Sequence, residues 1–132
     1  MKQRLKKFDR IIKVQKHLHK NAELHLANLQ RQESELKTAQ EELLQTMSDR
    51  DVLHGLFTDV MAKRLKTLAL EEVRTQGEIV VQKAVTMEKA MQVKRTEKVF
   101  GRIKEDTRRG QEKKDLAAIL ETMIQKSSTS LP

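Results

Sequence analysis

His17, His19, His25 and His54 are the side chains of this 132-residue chain best suited to proton transfer or metal ligation near neutral pH. Their spacing serves neither purpose. His17 and His19 stand two residues apart, which on a helix sends them to different sides. His25 and His54 have no further ligand at a useful spacing. The chain has no cysteine, which excludes thiolate metal sites, thiol nucleophiles and disulfides. No glycine-rich loop leads into a Lys followed by Ser or Thr, so the phosphate cradle of a nucleotide site is missing. A Ser, His and carboxylate set would need a water-excluding pocket in which to converge. The expected protein is not an enzyme, and no catalytic, metal or cofactor-binding residue is assigned.

The side chains left with something to do are cations, and they are sorted along the chain. Residues 2–20 hold eight basic side chains (Lys2, Arg4, Lys6, Lys7, Arg10, Lys13, Lys16 and Lys20) against Asp9. Residues 94–114 hold nine basic against four acidic, whereas residues 21–54 hold three basic against seven acidic. The formal net charge of the chain is +8. Charge gathered in this way repels itself over a screening length of about 8 Å at physiological salt. An acidic partner surface would relieve the repulsion and be steered towards it.

The elements that position these cations follow from composition. Charged residues make up 35%, aromatic residues 2% and apolar residues 37%, the last below the roughly 45–50% of ordinary globular domains. One proline, at the C-terminal residue, and four glycines leave little to break a helix. Such a chain can bury a seam and not a compact core. The seam is visible as a track with alternating steps of four and three: Met1, Leu5, Phe8, Ile12, Gln15, His19, Ala22, Leu26, Leu29, Glu33, Leu36, Gln40, Leu43 and Met47. A matching track runs from Met61 through Leu65, Leu68, Glu72, Thr75, Ile79, Gln82, Thr86, Lys89, Val93, Thr96 and Phe100 to Ile103. The periodicity argues against a disordered chain.

The two tracks mirror each other. Phe8 with Phe100, Leu5 with Ile103, Leu29 with Ile79, Leu43 with Leu65 and Met47 with Met61 all have residue numbers that add to 108, which centres the mirror on His54 beside Gly55. The turn formers Ser48, Asp49, Asp51, Thr58 and Asp59 surround the same point. The expected fold is therefore all-α: two long helices in an antiparallel coiled-coil hairpin forming a single domain over 1–126. Helix one covers about 2–53, the turn about 54–57 and helix two about 58–126, followed by a disordered tail at 127–132. Folding at His54 brings the two basic segments to one end. In this register helix one ends opposite residue 107, so 111–126 overhangs by roughly 24 Å if helical. Leu116, Ile119, Leu120, Met123 and Ile124 then form an apolar face with nothing in the chain to cover it, and Gly110 could hinge it. A second stripe on helix two, including Val73, Val80, Ala84, Met87 and Met91, either widens the seam or faces outward to bind.

The basic, Leu- and Phe-bearing start (Lys2, Leu5, Phe8), the central His54-Gly55-Leu56-Phe57 and the charged second helix through Glu97–Arg109 and Glu112–Glu121 resemble the FliJ/YscO family. These are small coiled-coil stalk proteins of flagellar and related type III export systems, similar to the coiled coil of the rotary ATPase gamma subunit. The resemblance spans nearly the whole chain. It implies a non-enzymatic stalk and export chaperone that inserts its basic terminal end into the export ATPase hexamer, assists ring assembly and couples the ring to the export gate. On this reading the ring contacts are Lys2, Arg4, Lys6, Lys7, Arg10, Arg102, Arg108 and Arg109, with the apolar overhang Leu116, Ile119, Leu120, Met123 and Ile124. Leu53, Leu56, Phe57, Val80, Ala84, Met87 and Met91 are candidate contacts for the gate protein or escort chaperones.

The implied location is cytoplasmic, peripheral to a membrane-embedded export apparatus and without membrane insertion. The basic start is not followed by the roughly 7–15-residue apolar run of a secretory signal, and no run approaches the ~18 apolar residues of a span. Two other classes fit parts of the pattern. A homodimeric coiled-coil adaptor would bury the overhang in self-contact. A nucleic-acid binder would use the net positive charge, although the chain has no Tyr or Trp for stacking and no reading motif.

Overall fold

The computed structural model describes residues 2–49 and 54–129, with the side chains of residues 54–56 and 129 outside the description. It is all-α. Helix α1 spans Lys2–Ser48 and helix α2 spans His54–Thr129, and the two pack against each other as an antiparallel hairpin. Contacts gather into two units, Met1–Gln15 with Gln92–Pro132, and Lys16–Met91.

In the first unit the helices meet through Phe8 and Phe100. Their rings stack at 6.1 Å between centroids and 16° between planes, an offset arrangement within the favourable range for aromatic pairs. Lys104 Nζ sits 4.3 Å from the centre of the Phe100 ring, so a cation one turn along the helix covers the ring. Ile12 and Val93 are buried in the same unit.

In the Lys16–Met91 unit the buried side chains are Ala22, Leu29, Leu68, Thr75 and Ile79. Leu29, at 4% exposure, and Ile79, at 6%, share a layer of the mirror. Side-chain bonds cross between the helices and run antiparallel. Gln82 Nε2 donates to the Ala22 carbonyl at 3.1 Å, Gln76 Nε2 reaches Glu33 Oε1 at 3.5 Å, and Gln40 Nε2 donates to Glu72 Oε2 at 2.7 Å. Each lies within about one helical turn of the expected register.

Every described member of both tracks is buried or half-buried, including the polar ones. Two of the threonines turn their hydroxyls back on their own helix: Thr86 Oγ1 donates to the Gln82 carbonyl at 2.8 Å and Thr96 Oγ1 to the Gln92 carbonyl at 3.0 Å. Gln40 also reaches the Leu36 carbonyl at 3.2 Å. Polar side chains bonded across a seam tie the two helices to one register. Gln15 is the exception, because its Oε1 is buried without a hydrogen-bond partner.

Several boundaries differ from those expected. Helix α1 spans Lys2–Ser48 with Asp49 in a turn; of its expected extent to about residue 53, residues 50–53 lie outside the described residues. Ser48 Oγ bonds the Gln45 carbonyl at 2.9 Å and the Asp49 amide bonds the same oxygen at 3.0 Å, closing the last turn. Residues 54–57, expected as the turn, are helical, and helix two begins at His54 and not at 58. One glycine costs a helix interior about 1 kcal/mol, and Gly55 stands in the first turn, where its amide has no partner within the helix anyway. Gly110 does not hinge the chain, because α2 runs unbroken through it. Residues 127–129, expected as disordered tail, are helical, and Ser128 Oγ bonds the Gln125 carbonyl at 3.0 Å.

The orphaned Gln15 oxygen generates a prediction. In the register set by Phe8 and Phe100, Gln15 faces buried Val93. Gln15→Leu should remove an unsatisfied polar atom and add apolar contact, stabilising the hairpin by about 1 kcal/mol. A rise in the urea midpoint with an unchanged slope would show it; a fall would mean that the amide has a partner.

Candidate partner-binding surface

The first unit holds the candidate surface. Two segments supply it, the start of α1 and α2 beyond Gln92, and the Phe8–Phe100 stack holds them side by side. Lys2, Arg4, Lys6, Lys7 and Arg10 are all exposed on α1. Gln3, Arg4, Lys6, Lys7 and Arg10 line one shallow groove along that helix. Spacings of three and four put Arg4 with Lys7, Lys6 with Arg10, and Lys7 with Arg10 on neighbouring turns. Within residues 2–20 the acidic side chain is Asp9, which pairs with Lys13 Nζ at 3.1 Å.

Across the seam, Arg102, Arg108 and Arg109 are exposed on α2. Arg108 and Arg109 are already engaged. Arg108 Nε lies 3.1 Å from Glu105 Oε2, its other nitrogens reach Glu105 and Glu112, and Arg109 Nε lies 3.3 Å from Glu105 Oε1. Hydrogen bonds from Arg108, then the charges of Arg108 and Arg109, hold the Glu105 carboxyl below the usual carboxylate range, and the same contacts raise the Arg108 guanidinium. An incoming acidic partner would therefore meet Lys2, Arg4, Lys6, Lys7 and Arg10 exposed on α1, and Arg108 and Arg109 already shared with carboxylates.

The apolar face stands beyond this cluster. Residues 111–128 are exposed throughout. Leu116, Ile119, Leu120, Met123 and Ile124 each leave more than half of their surface open, rising to 68% at Ile124. Their spacing lines them along one side of α2. The arrangement offers a partner apolar area next to positive charge. Among the described residues no three His, Asp or Glu side chains converge on a point, and no helix is long and apolar enough to cross a membrane.

The remaining expected contacts divide. Leu53 lies outside the described residues, as does the Leu56 side chain, and Phe57 is 45% exposed. Val80, Ala84, Met87 and Met91 are exposed in the Lys16–Met91 unit, as is Val73. That stripe does not widen the seam, because the half-buried flank of α2 ends with Ala69 and resumes only at Ala90. Lys104, one of the nine basic residues of 94–114, belongs with the basic surface and was not among the expected ring contacts. Its signal in the sequence is the four-residue step from Phe100, which puts a cation over an aromatic face on a helix.

The Glu105 cluster carries a pH dependence. Because its folded-state pKa lies below the ordinary value of about 4.3, Glu105 contributes fully above that value and loses its contribution as the pH falls through the lowered one. At low salt the helical ellipticity of the chain should fall further between neutral and strongly acidic pH than that of Glu105→Gln. Identical acid profiles for the two proteins would show that the cluster does not support the helix.

Comparison of the chain with protein-family models, with curated proteins and with solved structures finds no match.

Proposed function

We propose that the chain is a non-enzymatic stalk of a protein-export ATPase, as its resemblance to the FliJ/YscO family implies. The unit carrying the basic segments enters the central hole of the ATPase hexamer. There Lys2, Arg4, Lys6, Lys7, Arg10 and Arg102 meet acidic groups of the ring, and Leu116, Ile119, Leu120, Met123 and Ile124 pack against its apolar wall. The stalk binds no nucleotide; it assists ring assembly and passes the effect of hydrolysis to the export gate, in a flagellar or related secretion system at the cytoplasmic side of the membrane.

One observation carries this reading. A strongly basic surface and an open apolar helix face occur together in one unit, held by the Phe8–Phe100 stack. A helix meant only to stay in solution has no use for five large apolar side chains in a row. A nucleic-acid binder would not need the apolar face, since its affinity comes from phosphate contacts.

The test is capture of the cognate export ATPase by the full chain. Leu120→Asp should reduce capture at least about tenfold, because a carboxylate would be buried in the apolar contact. Arg4→Glu with Lys7→Glu should weaken it further and flatten its salt dependence. Unchanged capture by both variants would contradict the insertion reading.

A further inference from the structure

Helix α2 carries a second track, separate from the seam that faces α1. From Val73 it steps by four, three, four, three and four through Gly77, Val80, Ala84 and Met87 to Met91. All six positions are exposed, with Val80 at 69% and Met87 at 67%, and all lie within the Lys16–Met91 unit. Alternating steps of this kind keep a stripe in line with one further helix. The open apolar area is on the order of several hundred Å², at the upper end of what a monomer normally leaves uncovered and near one partner's share of a standard interface.

We propose that this stripe is a self-association surface, on which a second copy of the chain packs its own α2 antiparallel. The choice of occupant rests on complementarity within the stripe. In an antiparallel pairing centred near Val81 and Gln82, Gly77 faces Met87 of the copy, Ala84 faces Val80, and Val73 faces Met91. Each smaller side chain meets a larger one, and the twofold repeats every layer. A Cβ on Gly77 would meet nothing within 4 Å, so the space over the glycine is open to the methionine. A parallel pairing would set Gly77 against Gly77 and Ala84 against Ala84, leaving voids, with Met87 crowded against Met87.

Charge on one flank points the same way, while Lys83 on the other flank faces Lys83 of the copy across the twofold, an exposed repulsion that salt screens. Arg74 and Glu88 flank the stripe on one side, and the antiparallel register brings Arg74 of each copy to Glu88 of the other. Arg74 now has only an exposed contact to Glu78, at 3.4 Å, which a new partner can replace at little cost. The inference is independent of the ring reading, since it uses none of the residues assigned to the ATPase.

Sedimentation equilibrium of the full chain tests it. The weight-average mass should rise from monomer to dimer across the micromolar range. Ala84→Glu should raise the dimer dissociation constant at least about tenfold with unchanged far-UV circular dichroism, since the position is exposed in the monomer. Arg74→Glu and Glu88→Arg should each weaken the dimer, and the double variant should restore it. Because the chain has no cysteine, Val81→Cys should give a covalent dimer on oxidation and Val73→Cys should not. A monomer at every concentration, a dimer indifferent to Ala84→Glu, failure of the charge swap to rescue, or crosslinking at both cysteines would overturn the proposal.

Discussion

Two helices this polar can hold each other along one seam only, and everything else in the molecule depends on that seam accepting a single register. Among the described residues no large side chain is fully enclosed, so the core is one side chain deep. Apolar burial alone would fix such a pairing weakly, because a slip of one heptad returns apolar residues to the seam. Three features remove that freedom. The Phe8–Phe100 stack has no equivalent elsewhere in the chain, which has only three aromatic residues. Gln82 needs the Ala22 carbonyl, and Gln40 needs Glu72. A slip would leave these groups half-buried and unpaired, at a cost of about 1–3 kcal/mol each.

The seam also organises the surface. With its apolar residues committed to α1 along one line, α2 is free to present others elsewhere, and it does so in two places. One is the face from Leu116 to Ile124 and the other the track from Val73 to Met91. Each sits within a different unit and beside different charges. They are suited to different partners, the first beside a crowd of cations and the second flanked by Arg74 and Glu88 on one side and Lys83 on the other.

Much of the fold was legible in the sequence because its information is periodic. The two tracks and their mirror need only residue type and number, and the positions they name are the buried ones. What could not be read depends on local competition. The Ser48 hydroxyl takes the Gln45 carbonyl in the last turn of α1, and Gly55 is tolerated because it falls in a first turn; neither feature is visible as a period. The basic segments were legible as charge, but the engagement of Arg108 and Arg109 with Glu105 and Glu112 depends on rotamers. The second track was partly hidden because Gly77 does not count as apolar, and without it the alternation of steps is broken.

The central claim is the register, and paired cysteines test it most directly in a chain that has none of its own. Two double variants, Leu5→Cys with Ile103→Cys and Leu29→Cys with Ile79→Cys, each place thiols at mirror positions in one unit. Under mild oxidation both should form disulfides within a single chain, while Leu29→Cys with Thr86→Cys, shifted by one heptad, should not. Efficient bridging of the shifted pair, or bridging only between chains, would contradict the account.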